Sequence, residues 1–247
     1  MRTAELSDLN VHVATDRWSE TVLDSVHLVV PAGRITALLG ESGCGKSMVA
    51  AALTGLLPST ARSTGEVRIN GTAVREQRQW QQLRVGTVGL VPQFGATAFA
   101  AERTVGAQLY ERQRLPNCRT VEDACAAALY PAEMLDLHPH QHSSGQIQRA
   151  ALAAAWLPGP DLLVVDEPSA SLDMGTAHEV WAHLRAYADT GAAVLTITHD
   201  VTLLIETGAA DRVVFLRDGR TTATGSPTEV RALEDPYVQG FFHPFGQ

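Results

Sequence analysis

Residues 40 to 47 read Gly-Glu-Ser-Gly-Cys-Gly-Lys-Ser and hold the only lysine among 247 residues; the other 18 basic side chains of this type are arginines. The stretch follows the apolar run Ile35–Leu39 and opens a segment, Lys46–Leu57, whose pattern predicts a helix ending before Pro58. Glycines spaced this way between a strand and a helix let backbone N–H groups turn inward around phosphate oxygens, and the helix N-terminus adds its positive dipole. A compact ammonium on a slim stem reaches phosphates there, whereas a wide planar guanidinium would crowd the cradle. A serine hydroxyl next to it suits Mg²⁺. The stretch therefore reads as a P-loop, Gly-x4-Gly-Lys-Ser, with Gly40, Glu41, Ser42, Gly43, Cys44, Gly45, Lys46, Ser47 and the adjoining Met48 as candidate nucleotide contacts. A glycine-rich turn that binds nothing is the competing reading, and it leaves the placement of the single lysine unexplained.

Three further strand ends carry chemistry. Leu162-Leu163-Val164-Val165 is a buried-strand run closed by Asp166 and Glu167. Carboxylates at the carboxyl end of a parallel strand face the ligand crevice, so Asp166 is placed to hold Mg²⁺ and Glu167 to polarise an attacking water. Thr196-Ile197-Thr198 ends the same way at His199, and Val91-Pro92 at Gln93, which is positioned to watch a γ-phosphate and share the metal shell with Ser47 and Asp166. Solvated acids and a surface histidine are the plain alternatives for these positions.

The elements that must position these groups alternate in type. Val26–Val30, Val194–Thr198 and Val213–Leu216 read as strands, Thr176–Ala188 as a helix, Glu66–Asn70 as a hairpin arm before Asn70-Gly71, and Asp218-Gly219 as a turn. From Thr104 to Leu157 the pattern is helical and alanine-rich, punctuated by Pro116, Pro131 and Pro139. Alternating strands and helices predict an α/β fold with a largely parallel sheet, interrupted by an inserted helical subdomain spanning approximately residues 97–157 within one domain, 1–247.

Composition narrows the class. At 45% hydrophobic the chain can bury a core, and its net charge of −8 argues against a nucleic-acid partner. The longest apolar run, Ala150 to Leu157, is far short of the roughly 18–20 residues a membrane span needs. The N-terminal residues lack a signal peptide's apolar core, so a soluble, non-exported chain is expected. Three cysteines without a Cys-x-x-Cys pair indicate neither a disulfide framework nor a zinc site.

Taken in order, Gly40–Ser47, Gln93, His142-Ser143-Ser144-Gly145-Gln146, Leu162–Glu167, Ser171-Leu172-Asp173 and His199 resemble the motifs of the ATP-binding cassette (ABC) transporter ATPases over nearly the whole chain. That family's usual signature is Leu-Ser-Gly-Gly-Gln; this chain departs from it at His142 and Ser144 and keeps Ser143, Gly145 and Gln146. The resemblance implies a P-loop NTPase of the ABC type with an N-terminal antiparallel β part, ATP and Mg²⁺ as ligands, and hydrolysis of ATP coupled to transport. It makes Glu167, His199 and Gln93 the catalytic set, Ser143, Ser144, Gly145 and Gln146 a second nucleotide contact, Asp173 part of a dimer-contacting loop, and Trp18, in the Thr15–Glu20 loop, an adenine-stacking aromatic. Trp18 serves equally well as a packing residue.

Within the family, His138-Pro139-His140-Gln141, Thr54-Gly55-Leu56-Leu57-Pro58 and Asp235-Pro236-Tyr237 resemble the dipeptide, oligopeptide and nickel importer branch, and the short stretch after His199 resembles its compact nickel or metallophore type. The resemblance implies two ATPs sandwiched between two cassettes at the cytoplasmic face of the membrane. The implied partners are two integral-membrane permeases, a second, non-identical ATPase and, indirectly, an extracytoplasmic solute-binding protein. The loop Phe94–Glu102 would receive a permease, unless its phenylalanines close the local core. A regulatory cassette that binds but poorly hydrolyses ATP, and a soluble cassette ATPase without a transport role, remain the alternatives.

Overall fold

The computed structural model describes residues 3–242. The chain opens with β1 (Ala4–Thr15), β2 (Trp18–Val30) and β3 (Ile35–Leu39), then α1 (Lys46–Thr54), β4 (Ala61–Ile69), β5 (Thr72–Ala73), α2 (Gln77–Gly86) and β6 (Val88–Val91). A helical stretch follows, with α3 (Val105–Gln113), α4 (Val121–Ala127) and α5 (Ser144–Trp156). The remainder is β7 (Leu162–Asp166), α6 (Met174–Asp189), β8 (Ala193–Ile197), α7 (Val201–Thr207), β9 (Arg212–Arg217), β10 (Arg220–Gly225), α8 (Pro227–Arg231) and α9 (Pro236–Phe242).

Two sheets result. One is antiparallel, in the order β2-β1-β4-β5; the other runs β10-β9-β3-β8-β7-β6 and is parallel except at β10. Strands buried on both faces are mostly apolar, with Thr36 and Thr196 the buried exceptions in β3 and β8, and their alternate residues feed two cores. Ile35, Leu39, Leu163, Val165, Val194 and Phe215 join the helices through Trp156, Trp181, Leu184 and Leu109. Leu38, Val164, Leu195, Ile197 and Leu216 face α1 and the antiparallel sheet, where Leu6, Leu9, Leu23 and Leu53 are fully buried. All five residues of β3 are buried under this double cover, and the P-loop leaves the sheet from its end.

Several expectations need correction. Helix α1 ends at Thr54 rather than Leu57 because Gly55, at φ 65, turns left-handed and returns its N–H to the Ala51 and Ala52 carbonyls. A Cβ at Gly55 would lie 2.2 Å from the Trp80 ring, so α2 packs where only glycine fits. Trp18 is not in a loop: it begins β2 and pairs with Thr15 across a two-residue turn. The Asn70-Gly71 turn does join a hairpin, with φ of 52° and 78° and Ile69 opposite Thr72. Of the loop Phe94–Glu102, residues Gly95–Ala98 form a 3-10 turn. Phe99 packs on the core while Phe94 is 71% exposed.

Candidate nucleotide-binding site

The turn between β3 and α1 is shaped by close approach. A Cβ at Gly40 would sit 2.3 Å from the Leu216 carbonyl oxygen and 2.6 Å from Cys44 Sγ; one at Gly45, where φ is 107°, would meet Leu23 at 2.7 Å. The loop therefore lies flat against β2 and β9, and its residues open into a cavity of about 370 Å³. Gly40, Ser42, Gly43, Gly45, Lys46, Ser47 and Met48 line it, facing Gln93, Asp166, Glu167 and His199 across the gap. Val22 and Ile197 complete the walls.

Charge inside the cavity is organised around one cation. Lys46 Nζ donates to the carbonyls of Gly40 at 2.8 Å and Glu41 at 2.7 Å, so the ammonium is hydrogen-bonded within the loop it serves. Glu41 supplies that carbonyl without lining the cavity, and Cys44 is buried beneath the loop, where desolvation raises its thiol above the ordinary range. Asp166 is held up at about 6, first by burial, then by the neighbouring Glu167, against the opposing pull of Lys46 and a hydrogen bond from Ser47. Lys46, Asp166 and Ser47 thus form a contiguous polar set at the mouth of α1. The Ser47 hydroxyl and Asp166 carboxylate, in contact with each other and beside Gln93, are hard oxygen donors of the kind Mg²⁺ takes, so the residues fit that ion.

Glu167 and His199 form the other pair. Glu167 is buried and takes a left-handed φ of 55°, pinned by its N–H to Ile197 O at 2.8 Å. Non-glycine residues held in this region store strain and cluster at functional sites. His199 sits between the end of β8 and Asp200, which caps α7 by accepting from the Leu203 N–H at 2.9 Å. Its Nδ1 lies 2.7 Å from Glu167 Oε1, and its side chain is 76% exposed. A carboxylate can only accept, so Nδ1 carries the proton and Nε2 has no partner among the described residues.

Other predicted residues do not reach the cavity. Ser143–Gln146 form the start of α5, where the Ser143 hydroxyl accepts from the Gln146 N–H at 3.3 Å and Gln146 Oε1 accepts from the Ser143 N–H at 2.8 Å. A Cβ at Gly145 would lie 2.9 Å from Ser171 O, so this helix start abuts the segment leading to Asp173. Asp173 caps α6, and the Thr176 backbone and hydroxyl hold its carboxyl below the usual range. Trp18 lies four residues before Val22 on β2, with a register shift at Val22 between them, and it does not line the cavity.

Two supports went unread in the sequence. The Tyr237 hydroxyl accepts the Glu41 N–H at 3.2 Å and donates to Leu216 O at 2.8 Å, so α9 braces the P-loop from outside. Its only sequence signal is the helix start Asp235-Pro236-Tyr237, in which Asp235 Oδ1 accepts from the Tyr237 N–H at 2.8 Å. Gln148, buried on α5, donates to Pro92 O at 3.0 Å and links the helical stretch to the residue before Gln93.

A family model described as ABC transporter matches residues 23–170, more than half of the chain and every P-loop and Asp166–Glu167 position above. The chain belongs to the ABC transporter family. It is 34% identical over 252 residues to the oligopeptide transport ATP-binding protein OppD of Mycobacterium tuberculosis, covering 96% of this chain and 40% of that one. It therefore spans about two fifths of that relative's length. A probable peptide ABC transporter ATP-binding protein of Sinorhizobium fredii is 31% identical, with 97% and 75% covered. The metal-staphylopine import system ATP-binding protein CntD of Staphylococcus aureus is 29% identical, with 87% and 84% covered. Among solved structures, the dimeric bacterial ABC transporter cassette MJ0796 superposes with a TM-score of 0.80 at 21% identity, covering 90% of this chain and 98% of that one, which shows the shared ABC cassette fold.

Proposed function

We propose that this ABC family member hydrolyses ATP to drive import of a peptide or a metal–chelator complex through membrane permeases. One observation carries the reading. The P-loop, Gln93, Asp166, Glu167 and His199 converge on one cavity, while Ser143–Gln146 start a helix that does not line it. A nucleotide seated in the cavity is left open on one side, and a second cassette presenting its own Ser-x-Gly-Gln helix start would close it. That arrangement makes hydrolysis depend on pairing, with this chain's signature serving the partner's ATP.

Within the site, the loop N–H groups and Lys46 bind and orient the phosphates, since phosphoryl transfer needs positioning and charge stabilisation rather than covalent chemistry from protein. Ser47, Asp166 and Gln93 would hold Mg²⁺, which would supply charge neutralisation for the bound phosphates. Glu167 accepts a proton from the attacking water, and His199, fixed by Glu167 through Nδ1, presents Nε2 to the γ-phosphate side. The Glu167–His199 contact favours a hydrolysing cassette over a purely regulatory one.

No helix among the described residues is long and apolar enough to cross a membrane. The proposal assigns attachment at the cytoplasmic face to permease subunits. The names of the relatives, an oligopeptide transport and a metal-staphylopine import ATP-binding protein, support a peptide or metal–chelator cargo, and the proposal adds two permeases, a non-identical partner ATPase and an extracytoplasmic binding protein. Trp18 is assigned to adenine stacking and Asp173 to the contact between cassettes. Purification with the neighbouring permease gene products, followed by ATP-dependent uptake of labelled oligopeptide or metallophore into proteoliposomes, tests this. Phosphate release without any membrane partner or uptake would redirect the assignment to a soluble ATPase.

A further inference from the structure

The signature segment departs from Leu-Ser-Gly-Gly-Gln at His142, and the fold supplies that histidine with partners a leucine could not use. His142 Nδ1 lies 2.9 Å from His138 O, and Nε2 lies 2.7 Å from the Tyr130 hydroxyl, with the two rings stacked at 5.7 Å. The Tyr130 hydroxyl lies in turn 2.9 Å from Met134 O. Carbonyl oxygens only accept, so Nδ1 carries a proton. Tyr130 has a single hydroxyl proton, and two neighbours compete for it. Given to Nε2, it leaves the imidazole neutral and the bond to Met134 unmade. Given to Met134 O, it requires Nε2 to donate as well, and the ring is then an imidazolium. All three hydrogen bonds form together only in the cationic state. Met134 O also accepts the Leu137 N–H at 3.1 Å, so the neutral arrangement is one bond short without stranding a buried group.

The ring's position gives this chain of bonds a purpose. His142 immediately precedes Ser143, whose hydroxyl caps α5, so whatever fixes the imidazole fixes the residue leading into the cap. Tyr130 is 3% exposed and anchored through its N–H to Cys125 O at 2.9 Å, which makes it a firm post. Arg149 adds a second strut between the same two segments, donating to Leu129 O at 2.7 Å and to Gly145 O at 3.4 Å. The ionisable surroundings are Tyr130 itself, flanked by Cys125 and Glu133, together with Arg149 on α5 and the mutually adjacent rings of His138 and His140.

We propose that His142 is a positioning residue for the signature segment, tying Ser143 to Tyr130 and the His138 carbonyl, and that its second proton tightens this hold. The inference rests on the reading above that Ser143–Gln146 serve an ATP bound by a partner cassette. Turnover at that site then rises as His142 gains a proton, over and above the pH dependence of the remaining machinery.

The experiment uses the assembled ATPase–permease complex and compares steady-state ATPase at about pH 6 and about pH 8. His142→Gln places an amide N–H against the Tyr130 oxygen at every pH, His142→Leu restores the family residue without hydrogen bonds, and Tyr130→Phe keeps the stack and removes the hydroxyl. The ratio of wild-type to His142→Gln kcat should fall about threefold from the lower to the higher pH, with KM for ATP within about twofold. At about pH 8, His142→Gln should exceed His142→Leu in kcat by about the same factor, and Tyr130→Phe should flatten the pH profile. A kcat and pH profile equal to wild type in all three variants overturns the proposal. If His142→Leu or Tyr130→Phe fails to fold, the pH ratio for His142→Gln decides alone. Ser144→Glu separates the two levels: a carboxylate suits a helix N-terminus but repels phosphate. Full ATPase in Ser144→Glu removes the signature reading and the proposal with it, whereas lost turnover there beside unaffected His142 variants removes the proposal only.

Discussion

Glu167 Oε1 and His199 Nδ1, 32 residues apart in the chain, meet at 2.7 Å at the ends of adjacent parallel strands. The pairing orients the imidazole and leaves the carboxylate in the cavity lined by the Gly40–Ser47 loop. Glu167→Gln keeps the shape but cannot accept a proton, so phosphate release should fall by about 10²–10⁴-fold with ATP affinity little changed. His199→Ala should also reduce turnover while sparing ATP binding. ATPase and equilibrium nucleotide binding, measured on the same preparations, check both; normal turnover in Glu167→Gln removes Glu167 from the mechanism.

Asp166 offers a stability test. Its folded-state value of about 6 lies above the ordinary 3.8, so the folded protein holds this proton more tightly than the unfolded chain does. Ionising the group therefore costs stability progressively from about pH 4 to about pH 6 and fully above that. Without Mg²⁺, Asp166→Asn should raise the unfolding temperature relative to wild type, more at about pH 8 than at about pH 5. The same variant should lose Mg²⁺-dependent ATPase. An Asp166→Asn variant that unfolds at a lower temperature than wild type at about pH 8 would show that Asp166 is stabilised as a carboxylate.

Tyr237→Phe retains the ring, which packs edge-on to Phe215 and Phe241 and lies under Arg217, and deletes only the hydroxyl between Glu41 and Leu216. Loss of one such hydrogen bond corresponds to about a fivefold weakening. That weakening should appear as a higher KM for ATP with kcat preserved. A change in thermal stability alone, with KM unmoved, would make Tyr237 a packing residue with no bearing on the P-loop.

Phe94 and Phe99 should behave oppositely. Phe94→Asp charges an exposed ring, so the protein should fold and bind ATP normally but lose transport if this loop meets a permease. Phe99→Asp buries a charge against the core and should destabilise by about 2–4 kcal/mol. Uptake in proteoliposomes and thermal unfolding distinguish them; full uptake by Phe94→Asp removes this residue from the permease contact.

The sequence by itself determined the chemistry that is local. A candidate phosphate cradle is written in Gly40–Ser47 because glycine spacing, one lysine and a helix start act within eight residues, and the strands Ile35–Leu39, Leu162–Val165 and Val194–Thr198 are legible to within one residue because burial on both faces favours predominantly apolar runs. The antiparallel part was largely illegible: β1 and the first half of β2 mix polar and apolar residues, with register shifts at Leu6/Leu9 and Leu9/Val11 that break simple alternation. Only tertiary structure decided which distant groups touch. Nothing in the residue order says that Tyr237 reaches Glu41 from the far end of the chain, that Gln148 holds Pro92, that Trp80 requires a glycine at 55, or that His142 finds Tyr130. Each of those contacts is set by how two elements pack, and packing is a property of the whole core rather than of any short stretch.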